Sequence, residues 1–373
     1  MKEHIVLKNE QDIEDLLTGF AFLGTGGGGP VEAGRQSLLE CLQKGLKLSI
    51  TPLEEIDEDG LYCCPFFMGS IAPKTQETLD ELHRIGFAQR QYYLEEILMG
   101  AVRTLEEYTG KKMKGIYIAE PGGSNGGCCM AAAYKLGLQL VDGDPAGRAI
   151  PEATNGLHAI RNIVSLPAAY FDAWGNRNLT LETFNDHALE RIGKYLSQAS
   201  FGEMGEAAYI MTGRDLKRNV IPYTISKSLQ IGRAMRTGGD IVQAAAQAVD
   251  GVVAGRGVIQ NVTPLDSGGY YWGTYEVAGE GRDAGETYKI WFKNENHVLW
   301  KSGRVICTSP HLISLIDLEQ RMPLNNSNLK NGVPVGIVLS EAHAYYQTPE
   351  AIAAFSPRVL GCSADYVPFQ RNI

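Results

Sequence analysis

The fold class this sequence predicts is an α/β N-terminal domain followed by a β-rich α+β C-terminal domain with a helical insertion. Three observations carry that expectation. The 373 residues exceed what one ordinary core serves, so two domains are expected. Up to about residue 165 helical and strand patterns alternate, as they do in an α/β layer. Past residue 167 short strands and turns take over, interrupted by helical patterns between about 180 and 250. The expected domains are 1–167 and 168–373, with the helical insertion in the second.

The elements follow in order. Residues 10–23 have the spacing of a helix and run into Gly24-Thr25-Gly26-Gly27-Gly28-Gly29-Pro30. A second helical pattern over 31–44 places Leu38, Leu39 and Leu42 on one side. Segments 46–50 and 61–68 are expected strands, and 76–86 and 89–109 expected helices. A short buried strand at 114–119 opens into Glu120-Pro121-Gly122-Gly123-Ser124-Asn125-Gly126-Gly127, followed by a small-residue helix through Ala131, Ala132 and Ala133. A strand at 138–141 ends in Asp142-Gly143-Asp144. In the second half, 181–198, 226–235 and 240–251 show helical spacing. Strands are expected at 270–277, 287–294, 298–300, 305–307, 312–317 and 334–339, with a hairpin turn at Lys301-Ser302-Gly303-Arg304.

Composition limits the function classes. With 44% hydrophobic and 21% charged residues the chain is globular. A net charge of −9 argues against a general nucleic-acid binder or a binder of anionic membranes. No run approaches the roughly 20 apolar residues of a membrane span, and the N-terminus lacks a basic segment followed by an apolar core. The seven cysteines are odd in number and without Cys-x-x-Cys spacing, which fits reduced thiols in a cytoplasmic protein.

Three segments are candidates for chemistry. The run Gly26, Gly27, Gly28, Gly29 can turn successive N–H groups toward a ligand, with the following helix adding its N-terminal dipole. It lacks the Gly-Lys-Ser/Thr ending of a phosphate loop, and it follows a helix where a dinucleotide fingerprint should follow a strand. The second candidate, Glu120 to Gly127, lies at a strand end, where α/β sheets gather ligands. There Glu120, Ser124 and Asn125 are the substrate-facing candidates, with helix capping the competing role for Ser124 and Asn125. Cys128 and Cys129 fit small buried packing residues, a thiol near a helix N-terminus being the alternative. The third candidate is Asp142-Gly143-Asp144 with Arg148 and Glu152. Paired carboxylates at a strand end suit a divalent metal or an acid and a base, and Arg148 suits an ion pair or an anionic substrate group. Histidine spacing points to no zinc site. His158 fits a surface or capping role better than catalysis, and Asn294-Glu295-Asn296 fits a polar turn.

Taken together, Gly24-Thr25-Gly26-Gly27-Gly28-Gly29, Val141-Asp142-Gly143-Asp144 with Gly147-Arg148-Ala149 and Pro151-Glu152, Asn294-Glu295-Asn296, and the tail motifs Pro357-Arg358, Gly361 and Asp365-Tyr366-Val367-Pro368 resemble the S-methyl thiohydantoin desulfurase family. The similarity runs from about residue 10 to 369. One departure is Pro30 directly after Gly29, where an intervening residue is expected. The resemblance implies two domains and a hydrolase-type reaction on a five-membered cyclic amide or imidate. That reaction converts an S-methyl thiohydantoin to a hydantoin with release of methanethiol. It also implies an association with hydantoinase and oxoprolinase proteins. On that footing Asp142 or Asp144 is the expected base or metal ligand, Glu152 the partner acid, and Arg148 with the glycine N–H groups the holder of the ring's polar edge. The residues leave open whether a divalent metal is bound. A homo-oligomer is compatible with the aromatic-rich second half. Two other readings stand beside the enzyme: a nucleotide- or phosphate-binding partner of hydantoinase-like enzymes, and a non-catalytic ligand sensor.

Overall fold

The computed structural model describes residues 5–372, which form two eight-stranded sheets. The first sheet is built from β1 (Ile5–Leu7), β2 (Leu48–Thr51), β3 (Leu61–Met68), β4 (Gly115–Ile116) and β5 (Gln139–Val141), joined by three later strands. A two-residue strand, β6 (Gly143–Asp144), follows β5 and pairs antiparallel with β10 (Ile221–Pro222) in a separate small sheet, and the later strands of the first sheet are β7 (Ala168–Asp172), β8 (Arg177–Thr180) and β9 (Met204–Thr212). The order is β1-β2-β5-β4-β3-β9-β7-β8. Its centre, β2-β5-β4-β3, is parallel, and both flanks are antiparallel. The first sheet therefore reaches past residue 167 to Thr212, drawing its last three strands from sequence beyond the change in texture.

The strands of the central layer are buried on both faces, which is why they read as apolar runs without alternation. Cys63, Ala169 and Phe171 face a core filled by α1 (Glu10–Leu23), α2 (Val31–Gln43), α4 (Glu95–Thr109) and α5 (Gly123–Leu136). Their neighbours Tyr62, Cys64, Ala168 and Tyr170 face the opposite core, beneath α7 (Asp186–Ala199) and α8 (Gly213–Asn219). A short helix, α3 (Gln76–Arg84), lies between β3 and α4. Period-2 alternation of this kind assigns each strand residue to one of the two helix layers.

The second sheet comprises β11 (Val252–Ser267), β12 (Tyr270–Gly279), β13 (Thr287–Lys293), β14 (Glu295–Lys301), β15 (Arg304–Thr308), β16 (Leu312–Asp317), β17 (Met322–Pro323) and β18 (Pro334–Ser340). It is wholly antiparallel, in the order β15-β14-β13-β12-β11-β18-β16-β17. The β14–β15 turn carries Ser302 and Gly303 at φ 45° and 85°, the paired positive values of a tight hairpin. Two further helices, α9 (Thr224–Thr237) and α10 (Ile241–Ala248), join the halves. α9 packs along α1, while α10 lies on the second sheet. Phe22 and Leu23 at the end of α1 share one core with Leu312, Ile316 and Val338 of the second sheet. The last turn of α1 is thus anchored in the C-terminal half, and the glycine run that follows starts at the junction of the two sheets.

Among the described residues, no helix is long and apolar enough to cross a membrane.

Candidate functional site

A cavity of about 130 Å³ opens where the carboxyl ends of β3, β4 and β5 meet the β13–β14 turn of the second sheet. This is the position at which parallel sheets collect ligands, because the strand-to-helix loops converge there.

The glycine run forms one wall. Gly24 ends α1 by donating its N–H to the Phe20 carbonyl at 2.7 Å, and the chain then passes between two other segments. Gly27 passes so close to Glu295 that a Cβ there would lie 1.8 Å from the Glu295 Oε1. Gly28, at φ 70°, meets Gly122 of the second glycine loop, with 2.5 Å between a built Cβ and the Gly122 Cα. Close approach of the Glu295 side chain to Gly27 and of the Gly122 backbone to Gly28 therefore requires glycine here, independently of any ligand. Gly28 and Gly29 line the cavity, whereas Gly26 faces Asn326 and Gly27 backs Glu295. Among the described residues, the N–H groups of Gly28 and Gly29 have no protein acceptor.

Glu120 sits after β4 and is buried in the cavity wall. Its Oε1 accepts the Asn125 side-chain amide at 2.7 Å, and its Oε2 accepts the Ile150 N–H at 2.7 Å. The Phe67 N–H donates to the Asn125 Oδ1 at 2.8 Å, which fixes the direction of that amide. Burial pushes Glu120 up to about 7 despite these two donors. Ser124 lines the cavity and donates to the Pro30 carbonyl at 2.8 Å.

A second carboxyl faces the same space. Asn294, at φ 58°, turns the chain, and Glu295 begins β14 with its side chain in the cavity wall. Glu295 is 2% exposed, and its Oε2 has no hydrogen-bond partner. Burial first, then the Glu120 charge, raises it well above the ordinary glutamate value, with Arg148 opposing. His297 Nε2 lies 4.0 Å from this oxygen, and burial keeps its imidazole neutral. Lys194 of α7 completes the polar wall, 3.4 Å from the Glu190 carboxylate and 4.4 Å from the Tyr270 ring centroid. The sequence pointed to neither Glu295 nor Lys194 as a site residue.

The remaining residues singled out from the sequence have other surroundings. Asp142 accepts the N–H groups of Ile225 and Ser226, both at 3.1 Å, and the Ser226 hydroxyl, at the first turn of α9. Asp144 Oδ1 accepts the N–H groups of Ala146 and Gly147, each at 2.6 Å, and burial raises this carboxyl to about 6. Glu152 pairs with Lys293 and accepts the Thr154 hydroxyl at 3.1 Å. Arg148 is buried with all five of its N–H groups donated: to Ala149, Pro310, His311 and Asn296 carbonyls and to the Thr25 hydroxyl. None of these four side chains lines the cavity. Among the described residues, no group of three or more His, Cys, Asp or Glu has the arrangement of a metal site. Cys128 and Cys129 lie buried in α5, and burial raises both thiols, Cys128 to about 12.

His158 and Asn294-Glu295-Asn296 require correction. Each fits an exposed role from local sequence, yet all four residues are at most 5% exposed. The glycine run and the strand ends cover them, and no window of sequence around them shows that.

One buried carboxyl outside the cavity has a stability consequence. Glu206 of β9 has an Oε2 with no partner, and burial, then Glu190, raises it well above the glutamate value. A raised folded pKa means stability that is complete below the unfolded value near 4.5 and is lost as pH rises through the folded one. Glu206→Gln removes this proton uptake. Between pH 6 and 8 the variant is expected to lose less stability than wild type, by up to about 1.4 kcal/mol per pH unit. Denaturant midpoints at the two pH values measure the difference, and parallel losses in both proteins contradict it.

The comparisons with known proteins also divide the chain in two, with the boundary at 182–184, ahead of β9 of the first sheet. The family described as S-Me-THD-like, N-terminal domain, matches residues 11–182, and S-Me-THD-like, C-terminal domain, matches residues 184–369. A crystal structure of a protein from Chromobacterium violaceum is 21% identical with a TM-score of 0.75, covering 98% of this chain and 100% of that one. At that identity the likeness establishes a shared fold. Among curated proteins, none matches the sequence.

Proposed function

This chain belongs to the S-Me-THD-like family, both of whose domains it carries in order, and from that premise we propose that it is a hydrolase-type enzyme converting an S-methyl thiohydantoin to a hydantoin and methanethiol. The observation that carries the reading is the pair Glu120 and Glu295: two buried carboxyls in one small cavity, with unequal hydrogen bonding.

The reaction needs a base for water, an acid for the leaving group, and donors for charge developing on the ring. Glu120 receives two N–H donors, which favour its charged form, so it is the base. Glu295 has an unpartnered oxygen and a neighbouring carboxylate, both of which favour its protonated form, so it is the acid. Water loses a proton to Glu120 as its oxygen bonds to the ring carbon bearing sulfur. The C–S bond then breaks, and methanethiolate leaves with the proton of Glu295. The new oxygen becomes the hydantoin carbonyl, the second water proton goes to the ring nitrogen, and Glu120 returns its proton to Glu295 through solvent. The Gly28 and Gly29 N–H groups supply donors for the ring's polar edge during the attack.

A nucleotide reading has less support. Gly26 and Gly27 are packed against Asn326 and Glu295, and a phosphate entering this cavity would face two carboxyls. The seven cysteines are all buried and unpaired, which fits a cytoplasmic enzyme. The test is direct. Purified protein is incubated with an S-methyl thiohydantoin between pH 6 and 9, thiol release is followed with a chromogenic disulfide, and hydantoin is identified by NMR. Stoichiometric methanethiol and hydantoin are expected. Unchanged substrate at micromolar enzyme sinks the assignment.

A further inference from the structure

One side chain in the cavity has no part in the chemistry above. His158 lies in α6 (Leu157–Ile160), is 2% exposed, and lines the same space as Glu120 and Glu295. Its Nε2 is buried and has no hydrogen-bond partner. A histidine kept for packing normally has its nitrogens satisfied. His311 of this chain is such a case, accepting the Ala342 N–H at 3.2 Å and meeting the Tyr366 hydroxyl at 3.1 Å.

The His158 ring is held by two tyrosines. Tyr117 meets it edge-on, with centroids 5.5 Å apart and planes at 87°, and Tyr209 lies tilted at 4.6 Å. Tyr209 is placed for this by a local defect in the sheet. The β3–β9 register shifts between Tyr62 and Cys64, and Tyr209 opposite that shift has φ 52°. An irregularity of this kind redirects a side chain out of the regular alternation. The Tyr117 hydroxyl donates to the Tyr209 carbonyl at 3.0 Å, tying the two flanking residues together. Sheet pairing, backbone strain and aromatic packing thus converge on one imidazole whose Nε2 is left free.

Burial lowers His158 to about 3, so the ring is neutral at physiological pH. A neutral imidazole carries one donor and one acceptor, and an acceptor nitrogen in an enclosed cavity selects a ligand N–H.

We propose that His158 is a specificity-determining residue that accepts a hydrogen bond from an unsubstituted ring N–H of a five-membered cyclic amide bound beside Glu120 and Glu295. The inference rests on the proposed function for the location of the ring, and it adds which ring edge is read. The ligand class is accordingly cyclic amides and imidates with a free N–H; rings alkylated at that nitrogen are disfavoured, because they both lose the bond and bring a methyl group against the imidazole.

The experiment is calorimetric titration of wild type, His158→Phe and His158→Gln with hydantoin, 1-methylhydantoin and 3-methylhydantoin, alongside the methanethiol assay. Wild type is expected to bind hydantoin at least tenfold more tightly than one of the two methylated rings. His158→Phe is expected to abolish that preference, whereas His158→Gln, whose side-chain oxygen can accept the same N–H, retains part of it. Should the Phe variant fail to fold, His158→Leu, which likewise cannot accept a hydrogen bond, carries the test: a preference equal to that of wild type overturns the proposal. A His158→Phe protein that keeps the full preference overturns it, as does a wild type that binds no hydantoin or treats the three rings alike. Methanethiol release with an unchanged preference in His158→Phe defeats this inference alone. Selective hydantoin binding without methanethiol release defeats the reaction and leaves the inference standing.

Discussion

Glu120→Gln is expected to lower kcat/KM for methanethiol release by about 10²–10⁴-fold, the range for loss of a general base, with the fold intact. Glutamine keeps the volume but has one oxygen for two donors, so it retains one of the bonds from the Asn125 amide and the Ile150 N–H and gives up the other, a local loss of about 1–3 kcal/mol that leaves the two sheets in place. What it cannot do is take a proton from water. The pH profile separates this role from a structural one. Because Glu120 is raised to about 7, the wild-type rate should climb with pH through that region as the carboxylate forms. It should fall again at higher pH, where Glu295 gives up the proton needed by the leaving group. In Glu120→Gln the ascending limb disappears, and the residual activity shows only the descending one. Stopped-time assays of kcat/KM from pH 5 to 10 distinguish the outcomes. An ascending limb that survives the substitution assigns the base to another group.

The sheet that positions this carboxyl was legible because its signals are local. An apolar run at 114–119 ending in Glu120 and a glycine loop, ahead of a helix of small residues, specifies a strand, a ligand-side loop and close helix packing within one short stretch of sequence. The partner carboxyl was not legible. Asn294-Glu295-Asn296 carries every local mark of a polar turn, and the turn is real, with Asn294 at φ 58°. Glu295 is buried because Gly27, more than 260 residues earlier, lays its backbone against the carboxyl. Nothing near residue 295 encodes that contact.

The Asp142-Gly143-Asp144 segment shows the opposite difficulty. Aspartate at a strand end suits catalysis, a helix cap and a tight turn equally well. Here the nearest unpaired N–H groups are those of Ile225 and Ser226 at the start of α9 and of Ala146 and Gly147 in the following turn, and the carboxylates turn toward them. The first belongs to a helix more than 80 residues away, so the sequence around Asp142 is silent about it.

Arg148→Met should have the largest effect on stability, about 3–5 kcal/mol, because it leaves buried groups without their partners. The guanidinium spends its five N–H groups on two halves of the molecule: the Thr25 hydroxyl and the Ala149 carbonyl on one side, and the Asn296, Pro310 and His311 carbonyls on the other. Methionine fills much of the volume and satisfies none of these acceptors, and each stranded acceptor costs roughly 1–3 kcal/mol before relaxation and water entry reduce the sum. Arg148→Lys should recover only part of the loss, since three donors on a flexible stem cannot reproduce a planar fork of five. The substitution also has a chemical signature. Arg148 is the largest influence holding Glu295 down, so its removal drives that carboxyl further upward. The descending limb of the activity profile should therefore move to higher pH in any Arg148→Met protein that remains folded at low temperature. Urea unfolding reports the first effect and the rate profile reports the second. A loss under about 1 kcal/mol with an unmoved limb would mean that the two sheets are held in register by their shared apolar core alone, and that the field at Glu295 comes from elsewhere.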